Sequence, residues 1–232
     1  MTLALAERLE AVNARIRRAA EHSGRDPDSI TLVGVTKFVP PDAIEEAISC
    51  GLHHVGENRV QEALKKHSAV HGEACWHMVG HLQRNKVRRA LDIFDVVESV
   101  DSERLAVALS DEAGRRGTVV DVLIEVNTSG ETTKFGLAPD DVARFIRTAF
   151  PLPGLRLRGL MTVGPLVEDP EQARASFRML RRLAEAAAGS VTGDDVMEEL
   201  SMGMTADFEV AIEEGSTIVR IGTAIFGLRP TA

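Results

Sequence analysis

Residues 30–56 read ITLVGVTKFVPPDAIEEAISCGLHHVG, and the order of signals in this stretch decides the fold. A β-rich run at 30–36 is followed by a helix-period stretch at 41–50, a glycine at 51 and a second β-rich run at 53–56. Pro41 suits the first turn of a helix, where a missing backbone N–H costs little. Strand, helix and strand in so short a span make a βαβ unit, whose two strands run parallel.

The same alternation continues to the C-terminus. Further β-rich runs lie at 76–80, 94–97, 119–127, 155–163, 199–202 and 217–221. Helical stretches at 59–67, 83–91, 102–116, 139–150, 170–188 and 206–214 separate them, and the eighth run leads into a short tail. Ahead of the first strand, Leu5, Leu9, Val12, Ile16 and Ala19 recur at helical spacing, so residues 1–24 hold an extra amphipathic helix. Eight β/α units predict one α/β domain over residues 1–232, a (β/α)8 TIM barrel with that helix packed on it. No G-x-G-x-x-G fingerprint follows the first strand, and an open doubly wound sheet is the alternative.

Composition narrows the function. Of 232 residues, 44% are apolar and 27% charged, and no stretch approaches the ~18 uninterrupted apolar residues of a membrane helix. Thirty-five acidic against 27 basic residues give a charge of −8, which opposes attraction to a polyphosphate backbone. Neither membrane nor nucleic acid is expected as a partner. Cys50 and Cys75 are too few for a disulfide framework, and the N-terminus lacks a signal-peptide layout, so a cytoplasmic protein with reduced thiols is expected. A bare barrel is expected to be a monomer. The chain contains no tyrosine, which removes one common catalytic acid or base.

In a barrel the reacting groups lie at the C-terminal ends of the strands. Along 31–37 a period of two puts Thr31, Val33, Val35 and Lys37 on one face, so Lys37 projects into the mouth if that face is the interior. A lysine amine desolvated there is suited to attack an aldehyde or ketone. The plainer alternative is a solvated lysine at a strand end. After the seventh and eighth strands, Ser201 and Gly222-Thr223 offer hydroxyls and approachable backbone N–H groups, as barrel phosphate sites do. Arg220, on the same face as Gly222, either faces a pyridine nitrogen, which it would keep unprotonated, or forms a buried ion pair with a barrel carboxylate. Together these residues describe a pocket for a phosphorylated aldehyde such as pyridoxal 5′-phosphate (PLP).

The chain also resembles a known family. LVGVTK at 32–37, HHVGENRVQE at 53–62, WHMVGHLQRNK at 76–86, ESVDS at 98–102, VNTSGETTKFG at 126–136, LRGLMT at 157–162, LSMGMTADFEVAI at 200–212 and GSTIVRIGTAIFG at 215–227 are similar, in order, to segments of the YggS/PROSC family of PLP-binding homeostasis proteins. That family looks like the barrel of alanine racemase, a fold-type-III PLP domain, without the second, β-rich domain. The resemblance implies that Lys37 carries the internal aldimine, that Ser201, Gly222 and Thr223 hold the phosphate, and that Arg220 faces the ring nitrogen. It further points to Asn58 and His81 as cofactor neighbours, to Lys134 as a second amine for the aldehyde, and to PLP-requiring apo-enzymes as recipients. Phe38-Val39 departs from the polar, proline-containing turn usual after the lysine.

A carrier without turnover is the first functional reading, and a PLP-dependent amino-acid racemase is the alternative. A two-base racemase needs a second base, typically tyrosine, opposite the lysine. A third possibility is a barrel enzyme without PLP, either an aldolase or a metal-dependent hydrolase. Cys75 and His77 share a strand face and invite a metal, but their spacing matches no strong zinc signature, and no metal is expected. Adjacent His53 and His54 point to opposite faces and cannot chelate together.

Overall fold

A computed structural model describes residues 3–149, 152–191 and 196–227. In chain order the elements are α1 (Leu5–His22), β1 (Thr31–Val35), α2 (Pro41–Ser49), β2 (His54–Glu57), α3 (Val60–His67), β3 (Cys75–Met78), α4 (Val87–Ala90) and β4 (Val96–Val100). They continue with α5 (Glu103–Arg116), β5 (Val120–Glu125), α6 (Val142–Ala149), β6 (Leu155–Met161), α7 (Arg174–Ala187), β7 (Glu199–Ser201), α8 (Phe208–Glu213), β8 (Ile218–Ile221) and α9 (Thr223–Phe226). The strands form a closed parallel barrel in sequence order. Closure is made by β1 and β8, from Thr31 opposite Ile218 to Gly34 opposite Ile221. The fold is therefore a (β/α)8 barrel, and the open-sheet alternative falls.

Alternation along the strands sorts side chains into two cores. Val33, Val79, Leu123, Met161 and Ile218 fill the lumen as a cluster of their own. The residues between them, such as Val55, Val97, Leu160 and Val219, point outward into the larger core beneath the helices. Burial of a Leu or Ile side chain contributes about 1.5–3 kcal/mol, so this layer between strands and helices holds most of the apolar stabilisation. Helix α1 buries Leu5, Leu9, Val12, Ile16 and Ala19. Its Arg15 lies 4.5 Å above the Phe208 ring, and the Arg8 Nε donates to the Ile225 carbonyl at 2.6 Å. The N-terminal helix thus clamps both α8 and α9, the elements that flank the last strand.

Several local expectations need correction; among them, the helix expected at 170–188 begins as a 3-10 turn, Pro170–Ala173, and continues as α7. The fourth strand, expected at 94–97, lies at Val96–Val100, because Glu98 and Ser99 find buried partners and stay in the ladder while Phe94 packs into the outer core. The helix expected at 83–91 is a single 3-10 turn followed by the four residues of α4. The short tail expected after the eighth strand opens with the helix α9. The helix expected at 139–150 begins as a 3-10 turn, Pro139–Asp141, and its last residue lies outside the described ones.

Candidate functional site

Lys37 is the second residue beyond β1, on the lumen side of the strand by alternation with Val33. It opens a tight turn in which Phe38 takes a positive φ of 62°, a region L-residues enter at a cost. Buried polar contacts hold this turn. The Lys66 Nζ, from α3, donates to the Thr36 carbonyl at 2.7 Å, to Glu57 Oε1 at 2.8 Å and to Glu62 Oε1 at 2.6 Å. Thr36 Oγ1 donates to the same Glu57 oxygen, and the Phe38 N–H donates to Glu62. Burial raises the Glu57 pKa, against the pull of Lys66 and Thr36. One buried lysine therefore pins the end of β1 to β2 and α3, and leaves Lys37 free of that network with its Nζ 4.9 Å from the Phe38 ring centroid.

Lys37 lines a cavity of about 520 Å³ at the C-terminal ends of β1 to β3, together with Asn58, Met78, Gly80, His81 and Phe135. That size lies within the usual range for small-ligand pockets. Arg59 and Lys86 add positive charge to its wall, and no carboxylate is among its described lining residues. In a chain of net charge −8 this is a locally cationic pocket that favours an anion. Asn58 reaches it because residue 80 is glycine: a Cβ there would meet the Asn58 carbonyl oxygen at 2.5 Å. The Asn58 Oδ1 is buried and has no hydrogen-bond partner among the described residues. His81 is held by Asp101, 3.0 Å from its Nδ1, and its ring stacks on Phe135 with centroids 3.9 Å apart.

The β7–β8 side is organised differently. Arg220 is 5% exposed and lies across from Val33 inside the barrel. Its Nη2 donates to the Thr162 carbonyl at 2.7 Å, its Nη1 donates to Ser201 Oγ, and Glu98 Oε2 stands 3.8 Å away. Ser201 Oγ donates in turn to Glu98 at 2.5 Å. The other Glu98 oxygen is 2.7 Å from His77 Nδ1, and His77 Nε2 is 3.0 Å from His54 Nδ1. A continuous polar chain thus runs down the lumen from Arg220 to His54.

The charges in this chain set one another. Burial alone would raise the Glu98 pKa, but the hydrogen bond and charge of His77, with Arg220 and Ser201, hold it below the ordinary carboxylate value. Burial works against a charge on His77, yet Cys75 and Glu98 overcome it and raise its pKa to about 10. Burial and the neighbouring His77 push His54 down to about 4. Burial lowers the Arg220 pKa, opposed by Glu98, Glu125 and Asp207. Glu125, near the mouth, is raised to about 7 by burial and by Asp101, and its Oε2 has no hydrogen-bond partner among the described residues.

The structure thus gathers Lys37, Asn58 and His81 on one cavity; Ser201, Arg220, Gly222 and Thr223 are not among its lining residues, and Gly222 and Thr223 lie just beyond β8, the strand that pairs with β1. Gly222 has φ −115°, so no left-handed conformation demands glycine there. The first turn of α9 leaves backbone N–H groups without intrahelical acceptors. Two expectations change. The Ser201 hydroxyl, fully buried between Glu98 and Arg220, is taken up inside the barrel and is not presented to a phosphate. The Lys134 ammonium donates to the Gly164 carbonyl at 2.8 Å and pairs with Glu131 at 2.6 Å, so it is not offered as a second free amine. Arg220 satisfies its ion-pair reading, with Glu98 as the carboxylate.

Sequence reasoning missed Glu98, Glu125 and Lys66. A carboxylate in a barrel strand, as in VVESV or VDVLIE, is itself a signal, because burying an unpaired charge is costly.

Comparison with known proteins bears on this geometry. Residues 8–230 match the family model for the alanine racemase N-terminal domain. The pyridoxal phosphate homeostasis protein of Aquifex aeolicus is 44% identical over 224 residues, covering 96% of this chain and 97% of its own. The structure of PipY from Synechococcus elongatus with PLP bound superposes with a TM-score of 0.85 at 34% identity, covering 97% of this chain and all of PipY. The alanine racemase of Clostridium difficile shares the fold, with a TM-score of 0.73 at 16% identity, and this chain spans 57% of its length.

Proposed function

Since this chain belongs to the alanine racemase N-terminal domain family, and within it to the pyridoxal phosphate homeostasis proteins, we propose that its barrel mouth holds PLP for storage and delivery. The observation that carries this reading is Lys37, set beyond β1 on the wall of a cavity that Arg59 and Lys86 make cationic and that Asn58 and His81 also line. Bound PLP supplies a reactive aldehyde and an electron-withdrawing ring. Lys37 is the amine for that aldehyde, and the backbone at Gly222 and Thr223 takes the phosphate. Besides its pairing with Glu98, Arg220 turns an N–H not taken by Ser201 or Thr162 toward the ring nitrogen and keeps that proton, so the nitrogen stays unprotonated, while Asn58 and His81 border the ring. Ser201 acts one layer below, by holding the Arg220 guanidinium against Glu98.

The same residues support a carrier without turnover. Racemisation needs bases on both faces of the bound amino acid, and the chain has no tyrosine to set opposite Lys37. A cavity open at the C-terminal ends of the strands suits release of PLP to apo-enzymes by a monomer. The free thiols Cys50 and Cys75 suit a reducing cytoplasm. Among the described residues, no helix is long and apolar enough to cross a membrane.

The deciding experiment compares the visible spectrum of the purified protein with that of Lys37→Ala, followed by borohydride reduction and mass mapping. A yellow wild type, a pyridoxyl adduct on Lys37 and a colourless variant are expected. A wild type that stays colourless with added PLP, or an adduct elsewhere, overturns the assignment. Incubation with single-enantiomer alanine separates the carrier from a racemase: the carrier yields no mirror form.

A further inference from the structure

We propose that His54, Cys75 and His77 form a binding site for a divalent metal ion of the zinc class at the N-terminal end of the barrel lumen, apart from the cavity at the mouth. Strands β2 and β3 pair with His54 opposite Cys75 and Gly56 opposite His77. Gly56 faces the lumen, where a Cβ would meet Val33 Cγ1 at 2.8 Å and Val79 Cγ1 at 3.3 Å. Alternation therefore turns His54, Cys75 and His77 to the same side. Their donor atoms all lie within 4.8 Å of one another, and His54 Nδ1 is 3.0 Å from His77 Nε2.

These distances are close to what a tetrahedral ion needs. Zn–N bonds of about 2.0–2.1 Å and a Zn–S bond of about 2.3 Å set ligand atoms roughly 3.3–3.6 Å apart, which small side-chain rotations supply here. The outer partner is also present. With His77 Nδ1 turned to the fully buried Glu98 carboxylate, Nε2 is the atom left to face a metal, and a carboxylate behind a ligating imidazole orients it and raises its basicity. Cys75 is a free, half-buried thiol beside a surface depression lined by His53, His67, Ala74 and Asp95, which provides access. On binding, the ion takes the place of the thiol proton and of the proton shared by the two rings, both of which pass to solvent. Three protein donors leave one position for water.

The test uses PLP-loaded protein on a Cys50→Ser background, so that Cys75 is its one thiol, titrated with Co²⁺ as a coloured probe. One equivalent of Co²⁺ is expected to produce a thiolate-to-metal charge-transfer band. Cys75→Ser is expected to abolish the band, and His54→Ala to weaken Co²⁺ binding at least about ten-fold. Neither variant touches the cavity at the mouth, so retention of the PLP absorbance reports an intact fold. Absence of the band at saturating Co²⁺, or an unchanged affinity in His54→Ala, overturns the proposal. Wild-type protein gives a second measurement that needs no variant: Zn²⁺ is expected to slow alkylation of Cys75 but not of exposed Cys50. Equal protection of both thiols, or of neither, overturns it.

Discussion

At the mouth of the barrel, Lys37, Arg59 and Lys86 line a cavity with no described carboxylate on its wall. Deeper in the same lumen, Arg220, Glu98 and His77 are each 5% exposed or less; Ser201 links Arg220 to Glu98, and His77 bonds Glu98 directly. The mouth leaves its cations for a ligand and for solvent, whereas the interior neutralises its charges internally. The difference follows from desolvation: a charge near the rim keeps part of its hydration, while one at mid-barrel must find opposite charge and hydrogen bonds within reach. The interior network is thus a support that fixes Arg220, and the mouth is the part that remains available for binding.

Removing one member of the interior network is the most severe way to break this contrast. Glu98→Ala leaves His77 and Arg220 without their shared carboxylate and is expected to cost about 3–5 kcal/mol in urea unfolding. The folded His77 pKa, raised to about 10 from 6.5, lies above its unfolded value. Its contribution is therefore fully present below pH ~6.5 and lost as pH rises toward 10. The stability gap between wild type and Glu98→Ala is expected to narrow over that window.

Lys66→Met applies the same test to the support beneath the mouth. It strands the buried Glu57 carboxylate, and a loss of about 3 kcal/mol is expected, with weaker PLP retention on dialysis because the Lys37 turn loses its anchor. Glu125→Gln is expected to act in the opposite direction. Glu125 is raised from 4.5 to about 7, so its stabilising contribution is complete below pH ~4.5 and lost as pH rises through 7. The variant should therefore match wild type near pH 4.5 and exceed it by on the order of 2 kcal/mol at pH 8, read as melting temperature. The smallest effect is expected from Phe38→Gly, which relieves a positive φ and gains up to about 1 kcal/mol in thermal unfolding. If it also loosens PLP, the Phe38 ring positions Lys37; if it does not, the strain is incidental to binding.

Most of the scaffold is legible in the amino-acid sequence. Period-two runs and helix starts marked by Pro41, Pro139 and Pro170 locate the eight β/α units, since both signals arise from local backbone chemistry. The fourth strand is displaced from its expected place because Glu98 and Ser99 look like loop residues until their partners Ser201, His77 and the Gly80 carbonyl are known. Lys37 is legible as a lysine at a strand end on the lumen face. The Ser201 hydroxyl stands on the expected strand, but it is engaged by Glu98 and Arg220, partners that linear spacing does not reveal. The joining of His54 to Cys75 and His77 is hidden for a related reason: cross-strand register, not linear spacing, brings them together.

The sequence by itself determined the succession of strands and helices, the inward or outward face of each strand residue, and the family of the chain. These depend on short-range periodicity and on motifs a few residues long. Only the tertiary structure decided which inward residues meet, how deep each lies, and which charges are satisfied internally. Barrel closure places residues far apart in the chain within hydrogen-bonding distance, as Glu98 and Ser201 are at 2.5 Å. Depth in the lumen then sets the desolvation that each polar group must offset, which separates the buried Arg220 network from the open, cationic mouth around Lys37.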